Sequence, residues 1–450
     1  MRCLTVFSCV LMAVVSRGFV FPANAQAPLV ITLPDALARA KQYGTQIQSA
    51  NLNVLLAKED RVQAKAATLP SLNAFNQFIY TEGNGTPSGV YVANDGVHIY
   101  NEQAVVHEEV LSLVRHGEIR RAMAAEAVAK AKVEVAQRGL NSTVVQDYYT
   151  ILAAQRRFVN AQTSLREAGQ FLDITQKQEK GGEVAHADVV KAQITLQQRQ
   201  RDLQDAQLNI EKARIALGVL IFPDFRSDFS VDDDLQQPAL LPPIPEALAK
   251  ATASSPDLQA AKASVTETGY DVSVARYAYI PSLGLDFFYG IDANQFAART
   301  DYSTQATGRS TLPNYQVTGR QNLGYSGQVT LNVPVWNWGA TRSKIKQAQL
   351  RQQQARIDLT LAQRILQGNL ASAYSEAQAA QAQIDSLRGS SDLSAESLRL
   401  TLLRYQAGEA GALEVVDAQN TLAQARNAYD DGLARFHVAL AILQTLTGTL

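Results

Sequence analysis

Cysteine is almost missing from this chain: among 450 residues there are two, Cys3 and Cys9. Everything downstream can form no disulfide, thiol nucleophile or cysteine metal site. Neither cysteine ends the apolar stretch it sits in, so no lipid anchor is expected. Long hydrophobic runs are lacking as well. Beyond the first residues nothing approaches the roughly 20 apolar residues of a transmembrane helix, so any membrane-spanning form has to be a β-barrel. Charge of one sign is not in excess, with 41 basic against 42 acidic residues, which argues against nucleic acid and against a polybasic membrane surface. Aromatics reach only 7%, and proline is missing from long Ala- and Gln-rich tracts, a composition that suits long helices better than a compact mixed domain. Phosphate-binding glycine loops, metal-ligand spacings and nucleophile motifs are absent, and His107-Glu108-Glu109 has no metalloprotease spacing. Neither an enzyme nor a cofactor is expected.

Residues 1–25 read as a secretory signal. Arg2 supplies the positive end, Leu4 to Val15 the apolar stretch, and Ala23-Asn24-Ala25 the small-x-small cleavage pattern. Pro28 argues against cutting after Ala27, so the cut is placed after Ala25. An uncleaved anchor is the alternative, but Arg17 interrupts an apolar run already short for a span.

The chain beyond the signal is written twice. Leu33-Pro34-Asp35-Ala36-Leu37-Ala38-Arg39-Ala40 recurs as Ile244-Pro245-Glu246-Ala247-Leu248-Ala249-Lys250-Ala251, an offset of 211 (244 minus 33). Leu69-Pro70-Ser71-Leu72 recurs as Ile280-Pro281-Ser282-Leu283 at the same offset. Gly182-Glu183 and Asp188-Val189-Val190-Lys191-Ala192-Gln193 recur as Gly408-Glu409 and Glu414-Val415-Val416-Asp417-Ala418-Gln419, where the offset is 226 (414 minus 188). The added residues fall mostly between Pro281 and Gly339, as a longer polar loop. Residues 26–221 form the first repeat and residues 244–450 the second. Residues 222–243 read as an Asp- and Pro-rich linker whose run Asp232-Asp233-Asp234 is a solvated loop or, less simply, a cation site.

Each repeat reads helix, strand, loop, strand, long helix, turn, helix. The proline-free tracts from about Glu118 to Lys180 and from about Ala340 to Ala407 are long enough for helices of roughly 90–100 Å. In the helix after each turn, Val189, Ala192, Leu196, Arg199, Leu203, Ala206, Ile210, Ala213 and Leu217 step alternately by three and four. The second copy keeps the register in Val415, Ala418, Leu422, Ala425, Tyr429, Gly432, Phe436, Ala439 and Leu443. This is a coiled-coil seam. Gln193, Gln197, Gln200, Gln204 and Gln207 make a second stripe, either a solvated face or an uncharged wall of a water-filled conduit.

The strand segments alternate with period two. Leu283, Leu285, Phe287, Tyr289 and Ile291 share one face, and Tyr325, Val329, Leu331 and Val333 alternate with Ser326, Gln328, Thr330 and Asn332. One apolar and one polar face fits a membrane barrel with a wet lumen. The first copy, Leu72 to Tyr80 and Gln103 to Val114, alternates less evenly. Trp336 and Trp338 are expected to end the last strand, at a membrane interface or in a core. Four strands cannot close a barrel, and open edges are not tolerated in lipid. Closure therefore demands several chains.

The paired repeat, Leu-Pro-Ser-Leu entering a strand, Val333-Pro334-Val335-Trp336-Asn337-Trp338-Gly339 leaving one, and the Gly-Glu turn before Val-Val-x-Ala-Gln together resemble the TolC-type outer-membrane efflux family over essentially the whole chain after the signal. The resemblance implies a mainly α fold with a membrane β-barrel: long coiled-coil helices forming a periplasmic α-barrel, and four strands per chain in a trimeric 12-stranded outer-membrane barrel. Its implied partners are a homotrimer, a periplasmic adaptor, an inner-membrane pump and outer-membrane lipid, with no nucleic acid. Drug efflux, metal efflux and protein secretion all fit it. Carried over by position, Tyr405, Glu414 and Asp417, with Asp188 from the first copy, line the periplasmic aperture. Gly182 and Gly408 are the adaptor-docking tips, and Pro70, Gly117, Pro281, Pro334 and Gly339 mark the barrel–helix junction. The family's latching arginine falls at Ala410, so that latch is missing or rebuilt. Val110 to Gly117 also lacks the expected proline. The competing class, a soluble periplasmic coiled-coil adaptor or rod, accounts for the heptads but not for the strands.

Overall fold

A computed structural model describes residues 29–80, 98–225, 228–236, 240–294 and 323–449. The signal, residues 1–25, and most of the polar loop that lengthens the second copy lie outside the described residues. In chain order the elements are β1 (Leu29–Ile31), α1 (Leu33–Tyr43), α2 (Thr45–Ala66), β2 (Ser71–Tyr80), β3 (His98–Leu111), α3 (Leu113–Lys180) and α4 (His186–Ile221). The linker holds β4 (Phe229–Val231), and the second copy continues with α5 (Ile244–Ser254), α6 (Pro256–Tyr277), β5 (Ser282–Asn294), β6 (Leu323–Asn332), α7 (Ala340–Gln406) and α8 (Ala412–Thr447).

The long helices are as expected: α3 has 68 residues and α7 has 67, each roughly 100 Å at 1.5 Å per residue. Their partners α4 and α8 have 36 residues each, so they return about half of that length. The coiled-coil register holds. Val189, Ala192, Ala206, Ala213 and Leu217 are buried in the first copy, and Val415, Leu422, Gly432, Phe436, Ala439 and Leu443 in the second. The five glutamines of the second stripe are exposed.

The leading helix of each repeat is two helices rather than one. Pro34 and Pro245 sit in the first turns of α1 and α5, where a missing N–H costs nothing. The breaks come at Gly44 and at Ser255, which caps α6 by accepting from Leu258 N at 3.4 Å. Where α4 ends, Leu217 and Ile221 pack with Ala36 and Ala40 of α1 and with Leu140, Val144 and Tyr148 of α3. In the second copy Leu443 of α8 packs with Ala247 and Ala251 of α5 and with Leu366 and Leu370 of α7. These two clusters form a waist halfway along the molecule.

Above the waist the helices stand side by side in the order α2, α3, α6, α7, and the antiparallel sheet runs β2-β3-β5-β6. Each strand therefore continues the helix to which the chain joins it, and the described residues form one wall with two free edges. Below the waist α3, α4, α7 and α8 close the wall. The sheet register puts Leu72, Val106 and Phe287 in one row and Ala74, Ala104, Tyr289 and Tyr325 in the next, all on one face. Ser71, His107, Asp286 and Gln328 make a row on the opposite face, where His107 Nδ1 lies 2.6 Å from Asp286 Oδ1. The uneven first hairpin thus obtains its register from its neighbours.

Three sequence boundaries shift. β3 ends at Leu111 after a bulge between Glu109 and Leu111, so Leu113 and Val114 are helical. Ser112 accepts from Arg115 N at 3.4 Å, and this cap replaces the expected proline. β6 ends at Asn332, before Trp336 and Trp338, because Pro334 has no N–H for the ladder. The linker is not a free solvated loop. β4 pairs in parallel with β1, Asp232 O accepts from Tyr148 Oη at 2.8 Å, Asp233 accepts from Arg156 Nε at 2.8 Å, and Asp234 accepts from Tyr149 Oη at 3.2 Å.

Candidate functional site

The end farthest from the sheet is made of two helical turns. After α3, Glu183 N donates to Gln178 O at 2.9 Å and Gly182 N to Glu179 O at 2.9 Å. After α7, Glu409 N donates to Arg404 O at 2.8 Å and Gly408 N to Tyr405 O at 3.0 Å. This is the same Schellman closure twice, and it needs a left-handed residue just past each helix. Gly182 at φ 76° and Gly408 at φ 75° supply it. A Cβ at either would meet nothing within 4 Å, so the backbone angle alone demands glycine.

The expected aperture residues separate into two groups. Tyr405 is 2% exposed. Its ring packs edge-on to Phe171 at 5.2 Å, and its hydroxyl donates to Thr175 Oγ1 at 3.3 Å. Burial, reinforced by the charge of Asp188, pushes its phenol above the ordinary value, against the Thr175 hydrogen bond. Tyr405 thus ties α7 to α3 and does not face solvent. Asp188 lies beside it, half-buried, whereas Glu414 and Asp417 are exposed one turn apart on α8. Glu414 caps its own helix by accepting from Gly411 N at 3.3 Å.

Arg404 was not among the residues the sequence singled out. Its Nη1 lies 3.4 Å from Glu414 Oε2, and its Nη2 donates to Glu409 O at 3.2 Å. It therefore bridges the turn from α7 to α8, while Ala410 packs into the apolar cluster around Tyr405. A basic residue in the last helical turn is a readable signal, but the pairing partner ten positions later is not. In the first copy the turn is held otherwise, by His186 Nδ1 at 2.6 Å from Glu179 Oε1.

At the other end of the long helices, Pro70 and Pro281 precede β2 and β5, Pro334 follows β6, and Gly339 caps α7 at φ 84°. Gly117 is not a cap. It lies inside α3, where a Cβ would come 2.8 Å from Val274 Cγ2 and 3.1 Å from Tyr277, so it allows α6 to approach α3 closely. The cap equivalent to Gly339 is Ser112.

Comparison with known proteins places this arrangement. The model of the family described as outer membrane efflux protein matches residues 247–449, the second copy. Outer membrane efflux protein BepC of Brucella suis is 24% identical over 88% of this chain and 81% of its own length. Cobalt-zinc-cadmium resistance protein CzcC of Cupriavidus metallidurans is 24% identical over 95% of this chain and 92% of its own. Among solved structures, the CmeC outer membrane channel of Campylobacter jejuni superposes with a TM-score of 0.78 at 16% identity, covering 93% of this chain and 85% of that one.

Proposed function

The chain belongs to the outer membrane efflux protein family, and from that premise we propose that three copies close the open wall into one channel-tunnel. As a family member it is an outer-membrane efflux channel protein, with its helical part in the periplasm. One observation carries the trimer. Among the described residues the wall ends in two free edges, β2 with α2 and β6 with α7, and unpaired strand edges are not tolerated in lipid. Joining β6 of one copy to β2 of the next satisfies both, and three copies make 12 strands, within the range of known barrels.

The edge helices support the same joint. Leu52, Leu55, Leu56 and Val62 of α2 are exposed, as are Leu350, Ile357 and Leu361 of α7 and Ile194, Leu208, Ile215 and Val219 of α4. Their spacing keeps each set in one stripe along its helix. Such stripes are seams awaiting a partner.

In this reading the tips at Gly182 and Gly408 meet a periplasmic adaptor that couples the channel to an inner-membrane pump. Glu414 and Asp417 from three copies form the carboxylate ring of the aperture, with Arg404 in place of the family's latch. Asp188 and Tyr405 support that ring from behind. No step calls for catalysis. A soluble coiled-coil adaptor does not account for a sheet with one apolar exposed face. The test is fractionation followed by bilayer recording. The protein should resist salt and osmotic shock, require detergent, and form conducting pores; release by shock would contradict the reading.

A further inference from the structure

The second copy enters its long helix through residues 333–339, which leave their largest side chains in solvent. Trp336 is 76% exposed, Trp338 89% and Val335 85%, and the two indoles meet edge to face at 5.8 Å. Trp338 sits at φ 52°, the one non-glycine residue with positive φ among the described residues. Gly339 follows at φ 84°, and Ala340 N donates to Asn337 O at 3.0 Å. Both central positions of this turn are left-handed, where Gly, Asn and Asp are the usual occupants. An indole there is strained, and the strain gains it no burial within the chain.

Just past the turn α7 opens with Arg342, Lys344 and Lys346. All three are exposed, and none is ion-paired among the described residues. Cations are disfavoured at a helix N-terminus, whose dipole is positive. In the first copy two of the arginines at the start of α3 are neutralised, Arg115 by Glu109, and Arg121 by Glu118 at 2.9 Å and Asp271 at 3.5 Å. The third, Arg120, has no ion pair among the described residues. The second copy has no such counterions. Its unmatched cations call for an anion, and its uncovered indoles call for an interfacial surface.

The segment directly continues β6, whose Val329 and Leu331 are exposed on the sheet's apolar face. The lipid-facing band therefore ends where the tryptophans begin, at the level of headgroups. We propose that Trp336, Trp338, Arg342 and Lys346 form a binding collar for anionic phospholipid of the periplasmic leaflet. Arg342 and Lys346 are one turn apart on one face of α7, which Lys344 does not share. The indoles lie at the headgroup boundary, and the basic groups reach the phosphates, Lys346 by extending its alkyl stem up one turn. This rests on the barrel reading above.

Both tryptophans of the chain lie in this segment, so its intrinsic indole fluorescence reports on the collar alone. The full-length protein is reconstituted in vesicles containing brominated phospholipid, and lipid retained after purification is counted by native mass spectrometry. Brominated lipid should quench the indoles, and phosphatidylglycerol should be retained about tenfold better than phosphatidylcholine. The variant R342Q/K346Q should lose that preference and keep the quenching, while K344Q, on the opposite face of α7, should keep both. Inserted protein with unquenched indoles, covered instead by another copy of the chain, would overturn the proposal. So would equal retention of the two lipids by the unaltered protein, or a preference that survives in the variant. Protein that fails to float with the vesicles at all overturns the barrel reading itself, and the collar with it.

Discussion

At the scale of single residues, Arg404 changes what the acidic pair can do. Glu414 has a cationic neighbour at 3.4 Å, whereas Asp417 makes no ion pair among the described residues. The repeat places Lys191 at the position of Asp417 and Asp188 at that of Glu414, so one tip is balanced and the other acidic. Unit charges at about 4 Å interact by roughly 1 kcal/mol in water and several-fold more in a poorly hydrated ring, and such rings attract cations. Planar-bilayer recordings should show a low-conductance, cation-selective pore that periplasmic-side trivalent metal complexes block. Asp417→Asn should reduce selectivity and block more than Glu414→Gln, and the double variant should lose both while staying trimeric. Arg404→Gln should raise cation selectivity. Equal effects of the two single acid variants would remove the assigned role of Arg404. Glu414 was legible because it repeats Asp188 in order, whereas Asp417, opposite Lys191, came only with the family resemblance. The burial of Tyr405 was not, because its neighbours Phe171 and Thr175 come from the other coil, more than 200 positions away.

Among elements, the two tips are the most constrained by backbone angle. Gly182→Val with Gly408→Val forces a β-branched residue to φ near 75°, at roughly 1–2 kcal/mol each. Transport should be lost with trimers still in the membrane. Asn at both positions tolerates the left-handed region and should retain most transport. Valine variants that transport normally would count against the tips as the docking rim. The linker strand β4 gives a second element-scale expectation. Burial, aided by the Asp232–Asp234 carboxylates, pushes the Tyr148 and Tyr149 phenols well above their ordinary value. The unfolded chain releases those protons near pH 10 while the folded chain keeps them. The folded state then binds more protons, so stability falls as pH rises past about 10. Phe at both positions should flatten that alkaline fall in thermal melts and lower stability at neutral pH by about 0.5–1.5 kcal/mol per lost hydrogen bond. An alkaline fall as steep as in the unaltered protein would refute it. Periods of two and seven made the long helices and strands readable. A three-residue strand such as β4, held by a partner about 200 residues away, leaves no period, and an Asp-rich stretch resembles a loop until its tyrosine partners are in place.

For the whole molecule, the sheet order β2-β3-β5-β6 matches the helix order α2, α3, α6, α7. Duplication made two half-walls, and their fusion left one continuous wall with apolar stripes on its edge helices. The sequence held the need for several chains in its strand count, but only the wall order identifies which edges must meet. The mass of the detergent-extracted particle, with detergent subtracted by light scattering and strand content followed by circular dichroism, tests this closure directly. Three chains per particle with the β signal intact is the predicted result. A folded single chain with full strand content, stable in detergent with both edges free, would contradict it.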